Sequence, residues 1–369
     1  MKRRKIIKGL GIIGTGIVSA PLLACNTKSS PQENSSAAPS EGRKLGVALV
    51  GLGGYSRGQL APALQKTQHC ELRGIVTGSP EKIPDWQEKY SIPDGNVYNY
   101  ENMHTIADND DIDVIYIVVP TGLHAKYAIA AANAGKHVWC EKPMAMNVAE
   151  CQSIIDACAK NKVRLSIGYR VLHEPNTQVF NGYHQTKPFG EMQSVISEAG
   201  YGGSDPGDGW RGQKAMGGGA MYDMGVYTVN GLLGATHLDP VAILKAEHSR
   251  MAKEVDLTTS YTLELSNGLL AQGKTSVVES INRLRIDCSD GWYEMSPMQS
   301  YTGVQGERSD GIKLNKQIDS QQAIQMDDDA LAIMNNSDVI APGEMGLRDI
   351  RVIDAIFQSA ATGQRVNLG

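Results

Sequence analysis

Between Gly46 and Tyr169 the chain alternates short, unbroken apolar runs with longer stretches of helical periodicity. Gly46 to Val50, Leu72 to Thr77, Val114 to Val119, His137 to Cys140 and Arg164 to Tyr169 read as five strands. Their continuous apolar character is what strands buried on both faces require. Arg57 to Lys66, Trp86 to Tyr90, His124 to Ala134 and Val148 to Asn161 read as the helices between them, with a looser connection running to Asp113. Strands alternating with helices at this spacing predict a parallel, doubly wound sheet.

After Arg170 the pattern changes. Met192 to Glu198, Val241 to Glu247, Ser260 to Leu265 and Leu269 to Thr275 follow, several with period-two alternation, and Asn267-Gly268 between the last two is a hairpin signal. Residues 344–362 read as a closing helix, stopped at Gly363. The fold class expected is α/β. An N-terminal domain over 44–169 carries the doubly wound parallel sheet. A C-terminal α+β domain over 170–369 carries a mostly antiparallel open sheet. A chain of 369 residues is long enough for two such cores.

The first 43 residues stand outside this pattern. Lys2, Arg3, Arg4 and Lys5 precede an apolar, glycine-spaced run from Ile6 to Leu23, broken by Lys8 and closed near Pro21. It lacks the uninterrupted length of a spanning helix. Arg3 to Lys8 resembles a twin-arginine export signal, and Leu22-Leu23-Ala24-Cys25 resembles a bacterial lipobox, in which Cys25 is lipidated. A plain Sec signal or a membrane-anchoring segment is the alternative. Residues 26–43, rich in Ser, Pro, Ala, Asn and Glu, read as a flexible tether.

Composition narrows the chemistry. A net charge of −5 removes the basic surface that nucleic acid would need. Besides Cys25, the cysteines Cys70, Cys140, Cys151, Cys158 and Cys288 show no CxxC spacing, so neither a metal site nor a disulfide framework is expected. Cys151 and Cys158, seven apart on a helix, read as core packing.

Gly51-Leu52-Gly53-Gly54-Tyr55-Ser56 follows the first strand and precedes a helix, the context of a dinucleotide fingerprint. The first glycine permits the tight turn, and the second lets the backbone approach a pyrophosphate at the helix N-terminus. Ser56 replaces the third glycine. The second strand ends Ile75-Val76-Thr77-Gly78-Ser79, without the carboxylate that NAD binding usually places there. Its hydroxyls, with Lys82 and Arg57, suit the 2′-phosphate of NADP, although both cations read equally well as solvated surface residues. NADP is therefore expected, with NAD as the alternative.

Glu141-Lys142-Pro143 stands at the end of the fourth strand, where ligands bind in such sheets. In the second domain, Gly217-Gly218-Gly219 leads into Asp223 and Tyr227, four apart and so on one helical face. Oxidising an alcohol requires one group to take the hydroxyl proton and another to orient the substrate. A phenol ordinarily holds its proton at neutral pH, and a nearby ammonium, with Lys142 as candidate, favours the phenolate. A buried tyrosine and an aspartate cap compete with this reading.

The combination resembles the glucose–fructose oxidoreductase, inositol dehydrogenase and rhizopine-catabolism (Gfo/Idh/MocA) family over nearly all of 44–368. The carrying residues are Val47 to Ser56, Val119-Pro120 with Thr121 and His124, Ala134 to His137, and Glu141-Lys142-Pro143. They continue through Ile167 to Arg170, Trp210-Arg211, Gly217 to Tyr227, and Thr362-Gly363 with Arg365 to Asn367. Tyr227 matches the glucose–fructose oxidoreductase subgroup, where most members carry His. Thr121 stands where the family often has Asn, and His173-Glu174-Pro175 replaces part of a sugar-side loop.

The resemblance implies a Rossmann domain, a catalytic set of Lys142, Asp223 and Tyr227, and a cis bond before Pro143. It implies cofactor contacts at Gly51, Leu52, Gly53, Gly54, Tyr55, Ser56 and Arg57, and at Thr77, Ser79 and Lys82. Further contacts fall at Pro120, Thr121, His124, Glu141 and Lys142, and at Arg170, Trp210 and Arg211. A sugar or polyol substrate is implied, as is a homodimer or homotetramer built through the open sheet. The function expected is an exported, periplasmic, lipid-anchored sugar oxidoreductase with tightly bound NADP, working in a ping-pong cycle. Two alternatives accompany it: an NAD-dependent, redox-neutral glycoside hydrolase, and a non-catalytic sugar-binding lipoprotein.

Overall fold

Strand β1 (Leu45–Val50) is buried along its whole length, Val47 and Leu49 entering one apolar cluster and Ala48 and Val50 another. A strand covered on both faces needs this pattern, and the strand sits inside a parallel sheet. In the computed structural model, which describes residues 42–204 and 206–369, that sheet has six strands. They are β1, β2 (Cys70–Val76), β3 (Val97–Tyr98), β4 (Val114–Ile117), β5 (His137–Cys140) and β6 (Leu165–Ile167). Their order is β3-β2-β1-β4-β5-β6, with every pair parallel. The order reverses direction between β1 and β4, which is where a doubly wound sheet opens a crevice. The twin-arginine pattern, Cys25 and most of the tether lie outside the described residues.

Helices α1 (Ala61–Leu64), α2 (Ile83–Tyr90), α3 (His124–Asn133) and α4 (Val148–Lys160) connect the strands. The first differs from expectation. Ser56–Leu60 winds as a π-helical turn before α1 begins, and Pro62, with no N–H, cannot continue an α-ladder there. Helix α4 starts as expected, with Asn147 Oδ1 accepting the Glu150 amide at 2.9 Å.

After Arg170 the short helices α5 (Pro175–Asn181) and α6 (Tyr183–Thr186) lead to a nine-stranded sheet. Its strands are β7 (Met192–Gly200), β8 (Pro240–Ala252), β9 (Val255–Leu265), β10 (Leu270–Ser276), β11 (Asn282–Cys288), β12 (Gly291–Met295), β13 (Gly306–Arg308), β14 (Lys313–Leu314) and β15 (Val366–Asn367). Only β7 and β10 pair in parallel. The Asn267-Gly268 turn joins β9 to β10, with Gly268 at φ +82°. Helix α7 (Val226–Thr236), α8 (Gln321–Met334) and α9 (Gly343–Thr362) complete the chain, and Gly363 caps α9 at φ +69°.

Helix α8 comes late in sequence but packs on the first sheet. Ala323, Met326 and Ala330 share an apolar cluster with Val47, Leu49, Ile75, Tyr116 and Trp139. The other face of the parallel sheet belongs to a cluster that continues into the second sheet through Ile167, Tyr169, Phe180 and Val195. All five cysteines among the described residues are buried and unpaired, and Cys151 and Cys158 lie in that shared core.

Candidate active site

The turn after β1 is built by necessity around Gly51. It holds φ +97°, and a Cβ there would meet the Val118 carbonyl oxygen at 2.7 Å. Gly53 and Gly54 have nothing within 4 Å of an added Cβ, so their backbone faces open space. Ser56, in place of a third glycine, closes the turn by donating to the Gly51 carbonyl at 2.5 Å.

This turn forms one wall of a cavity of about 600 Å³. From the expected contacts it gathers Gly51 to Ser56, Thr77, Ser79, Lys82, Pro120, Thr121, His124, Glu141, Lys142, Trp210 and Arg211. Lys82 donates to the Leu52 carbonyl at 3.3 Å, beside the glycine turn. Among the lining residues the only carboxylates are Glu141 and Asp223, so none comes from the end of β2. The open glycine backbone, two hydroxyls and an ammonium fit a dinucleotide carrying a 2′-phosphate.

Two expected contacts stand apart. Arg57 is exposed on the π-turn and does not line the cavity. Arg170 is 1% exposed and lies behind the cleft, its Cζ 4.5 Å from the Tyr301 ring centre and 5.5 Å from that of Tyr227. Arg170 opens the tight turn after β6, and its guanidinium is taken up there by the Ser300 carbonyl, Gln321 and Gln299 beneath Tyr301.

Lys142, Asp223 and Tyr227 converge. The Lys142–Pro143 peptide is cis, and Lys142 Nζ donates to the Asp223 carbonyl at 2.9 Å while sitting 4.4 Å from the Tyr227 ring centre. Asp223 and Tyr227 share a face as expected, but not on a plain α-helix. Met221–Gly225 is a π-helical turn leading into α7, a form frequent at functional sites. Asp223 Oδ2 accepts from Arg211 Nε at 3.0 Å and from the Tyr201 hydroxyl at 3.1 Å. Its carboxylate is therefore engaged before any substrate arrives.

The supporting groups are buried. Glu141 accepts from the Tyr116 hydroxyl at 2.7 Å, and burial raises its carboxyl above the ordinary range while Tyr116, Lys142 and Arg170 oppose the rise. His124 faces the Pro143 and Val119 carbonyls, each at 2.8 Å. Burial pushes its imidazole down and those carbonyls push back, so it serves as a strut tying the β4 and β5 loops. His173 and Glu174, expected on the sugar side, are buried elsewhere. His173 Nδ1 lies 2.8 Å from Asp328 Oδ2, and Glu174 caps α5 by accepting the Thr177 amide at 2.8 Å.

A second, open cavity of about 1030 Å³ shares Lys142, Arg211, Asp223, Tyr227 and Tyr301 with the first. Tyr201, Ser280, Asn282, Gln299 and Ser300 add a polar lining. Lys142, Asp223 and Tyr227 thus stand at the junction of a dinucleotide-shaped cleft and a polar one. Sequence reasoning missed Tyr301, Tyr201, Asn282 and Gln299. Gly200-Tyr201-Gly202-Gly203, a glycine-rich strand end, was a usable signal for Tyr201. No motif or periodicity marks Tyr301.

Comparison with known proteins gives the family and the fold. The family model "Oxidoreductase family, NAD-binding Rossmann fold" matches residues 45–169, and the "GFO/IDH/MocA C-terminal domain" matches residues 184–294. The fold is similar to the crystal structure of aldose-aldose oxidoreductase from Caulobacter crescentus complexed with glycerol. That match has a TM-score of 0.84 and 33% identity, covering 88% of this chain and all of the other. D-xylose 1-dehydrogenase [NADP(+)] from Haloarcula marismortui is 26% identical over 347 residues, covering 87% of this chain and 92% of that protein. Apo scyllo-inositol dehydrogenase from Lactobacillus casei shares the fold at 17% identity and a TM-score of 0.72, covering 89% of this chain and 99% of that one.

Proposed function

The chain belongs to the Gfo/Idh/MocA oxidoreductase family, and from that premise we propose that it is an exported, NADP-dependent sugar oxidoreductase that keeps its cofactor and closes its redox cycle between two sugar substrates. One observation carries the reading: Lys142, Asp223 and Tyr227 stand where a dinucleotide-shaped cleft meets an open polar one. Sugar as substrate is supported by the names of two relatives, one an aldose-aldose oxidoreductase and one a D-xylose dehydrogenase using NADP.

The Gly51–Ser56 turn would hold the pyrophosphate, and Thr77, Ser79 and Lys82 the 2′-phosphate. Bound NADP supplies the hydride acceptor in one half-reaction and the donor in the other. Tyr227, as phenolate, takes the hydroxyl proton while the carbinol carbon becomes a carbonyl, and returns it to the second substrate's carbonyl oxygen. Lys142 fixes the ring from one face and the Asp223 carbonyl from its amine. Asp223, already held by Arg211 and Tyr201, grips a neighbouring sugar hydroxyl with its carboxylate.

Export rests on the pattern of residues 1–25, with Cys25 as the lipid anchor on the periplasmic side. A cofactor that must function away from the cytoplasmic pool has to remain bound, which favours a closed ping-pong cycle. Assembly as a dimer or tetramer through the open face of the second sheet belongs to the same proposal, and the mass in solution checks it.

The test is to denature the purified mature protein, identify the released nucleotide, and measure initial rates with D-xylose and a second aldose varied together. NADP(H) should be released, and the double-reciprocal lines should be parallel. Tyr227→Phe should abolish turnover and still retain the nucleotide. Intersecting lines, or undiminished turnover in Tyr227→Phe, would overturn the mechanism. Bound NAD with sugar released from a nitrophenyl glycoside would replace it with redox-neutral glycoside cleavage.

A further inference from the structure

Arg170 carries a fixed charge into the interior, because a guanidinium does not give up its proton in proteins. A buried charge is costly unless it is paired. Arg170 is 1% exposed, yet the partners of its guanidinium are neutral. Nη1 donates to the Ser300 carbonyl at 3.1 Å and to Gln321 Oε1, and Nη2 donates to Gln299 Oε1 at 2.9 Å. Nε has no hydrogen-bond partner. Among the described residues no carboxylate is within ion-pair distance of it, and Glu141 acts on it only at longer range.

What faces the guanidinium instead is aromatic. Its Cζ lies 4.5 Å from the Tyr301 ring centre and 5.5 Å from that of Tyr227, and Tyr55 packs against Tyr301 at 5.9 Å between ring centres. Burial works against the charge of Arg170, and Coulomb attraction to Tyr227, then Tyr55 and Tyr301, restores it. Lys142 Nζ also stands over the Tyr227 ring, at 4.4 Å against 5.5 Å for the Arg170 Cζ, and differs in that its ammonium already donates to the Asp223 carbonyl. A cation over a ring face is drawn to the neutral phenol's quadrupole as well as to its anion.

Taking Tyr227 as the proton acceptor, which rests on the function proposed above, we propose that Arg170 is a positioning residue whose buried guanidinium is the standing counter-charge of the Tyr227 phenolate. Before sugar oxidation the phenolate pairs with Arg170. When the phenolate takes the hydroxyl proton it becomes neutral, and the pairing returns when the proton is handed on. Among the other titratable groups lining the same cleft as Tyr227 are Lys142 and Glu141 from the β5 loop, Tyr55 from the β1 turn, Asp223 from its own turn, and Tyr301 from the segment after β12. Of these only Lys142 is cationic, its ammonium is bonded to the Asp223 carbonyl, and the Glu141 carboxylate is drawn to Lys142 and Arg170 alike.

Two readouts test this in the full protein loaded with NADP. The first is the rate of nicotinamide reduction by D-xylose in a single turnover, measured against pH. In Arg170→Met the rise of that rate with pH should move upward by about one unit or more, with Arg170→Lys in between. Nucleotide retention should stay as in the unaltered protein. The second is an ultraviolet tyrosinate titration, in which the difference between a protein and its Tyr227→Phe version isolates one ring. That difference should appear at higher pH in the Arg170→Met background, and it requires no sugar turnover, so a failure of the sugar reading leaves it intact. If Arg170→Met does not fold, Arg170→Lys carries both measurements. An unmoved pH profile and an unmoved Tyr227 difference would overturn the proposal, as would loss of bound NADP with both unmoved.

Discussion

Asp329 and His137 both sit against the parallel sheet, and burial moves them in opposite directions. Asp329 is 1% exposed, with Oδ1 accepting from Ser166 at 2.7 Å and Oδ2 left without a partner. Burial raises its carboxyl from 3.8 to about 6, against the opposing pull of His173. The folded state therefore binds this proton more tightly than the unfolded chain, and stability falls as pH rises from about 4 to about 6. His137 Nδ1 accepts the Arg164 amide at 2.9 Å, and burial lowers its imidazole from 6.5 to about 4 despite Asp113. Its effect is the reverse: full stability above about 6.5, lost as pH drops toward 4. Asp329→Asn should stabilise the protein at pH 7 by at most about 3 kcal/mol, at about 1.4 kcal/mol per unit, and the gain should vanish near pH 4. His137→Gln should change little at pH 7 and gain relative stability below about pH 6. Thermal melts across this range check both, and an Asp329→Asn gain independent of pH would show that the buried carboxyl is not held protonated. Neither environment was legible in the sequence, because Asp329 meets Ser166 across 163 positions. Lys142 was legible from its place beside Pro143 at a strand end and Asp223 and Tyr227 from their spacing of four after a glycine run, but grouping them as one set needed the family resemblance, and the structure brings the three together. Tyr301 and the true surroundings of Arg170 depend on a loop with no periodicity.

At the scale of elements, the glycine turn after β1 separates folding from binding. Gly51 needs its left-handed backbone and its clearance from Val118, so a methyl group there strains the turn and collides with backbone. Gly53 has open space around the same position, space that a bound pyrophosphate would use. Gly51→Ala should lower stability by roughly 2 kcal/mol or more and lose the nucleotide. Gly53→Ala should melt within about 0.5 kcal/mol of the original and still release NADP at least about tenfold more readily. Denaturant unfolding with nucleotide retention measured on the same samples separates the two. Equal retention in Gly53→Ala would mean that this backbone does not approach the cofactor. Five of the six parallel strands were legible because both faces are covered and the runs are continuous; β3, two residues long, was read as part of the loose connection because it is too short to carry a pattern. The hairpin β11–β12 carried a usable signal too, with Leu284, Ile286 and Cys288 alternating before Asp290-Gly291. The π-turns at Ser56–Leu60 and Met221–Gly225 were not legible, because an extra residue per turn leaves the apolar pattern almost unchanged.

At the scale of the whole molecule, the nucleotide-side sheet depends on chain far from it in sequence. One face of β1, β2, β4 and β5 is closed by the π-turn, α1 and α2 together with α8, which adds Ala323, Met326 and Ala330 beside β2. Ile167 of β6 donates its amide to the Ala341 carbonyl at 2.8 Å, and Asp327 accepts the amides of Gln68 and His69. The opposite face continues into the second sheet's core. A fragment of residues 44–169, the segment that sequence patterning marks as a domain, would uncover the part of this face that α8 covers, where Cys70 meets Met326, Tyr116 meets Gln325 and Ser166 meets Asp329. An uncovered apolar face of that kind invites association, and the buried area lost is the main stabilising term. The fragment should therefore lack a cooperative melt and bind a hydrophobic dye, and it should not retain NADP even with the glycine turn intact. Supplying residues 315–369 as a separate chain should restore part of the melt, since that piece brings α8 and the strand of backbone at Ala341. A fragment that melts cooperatively alone and holds NADP would show that the parallel sheet folds without its late helix, and that α8 serves to dock the second sheet instead.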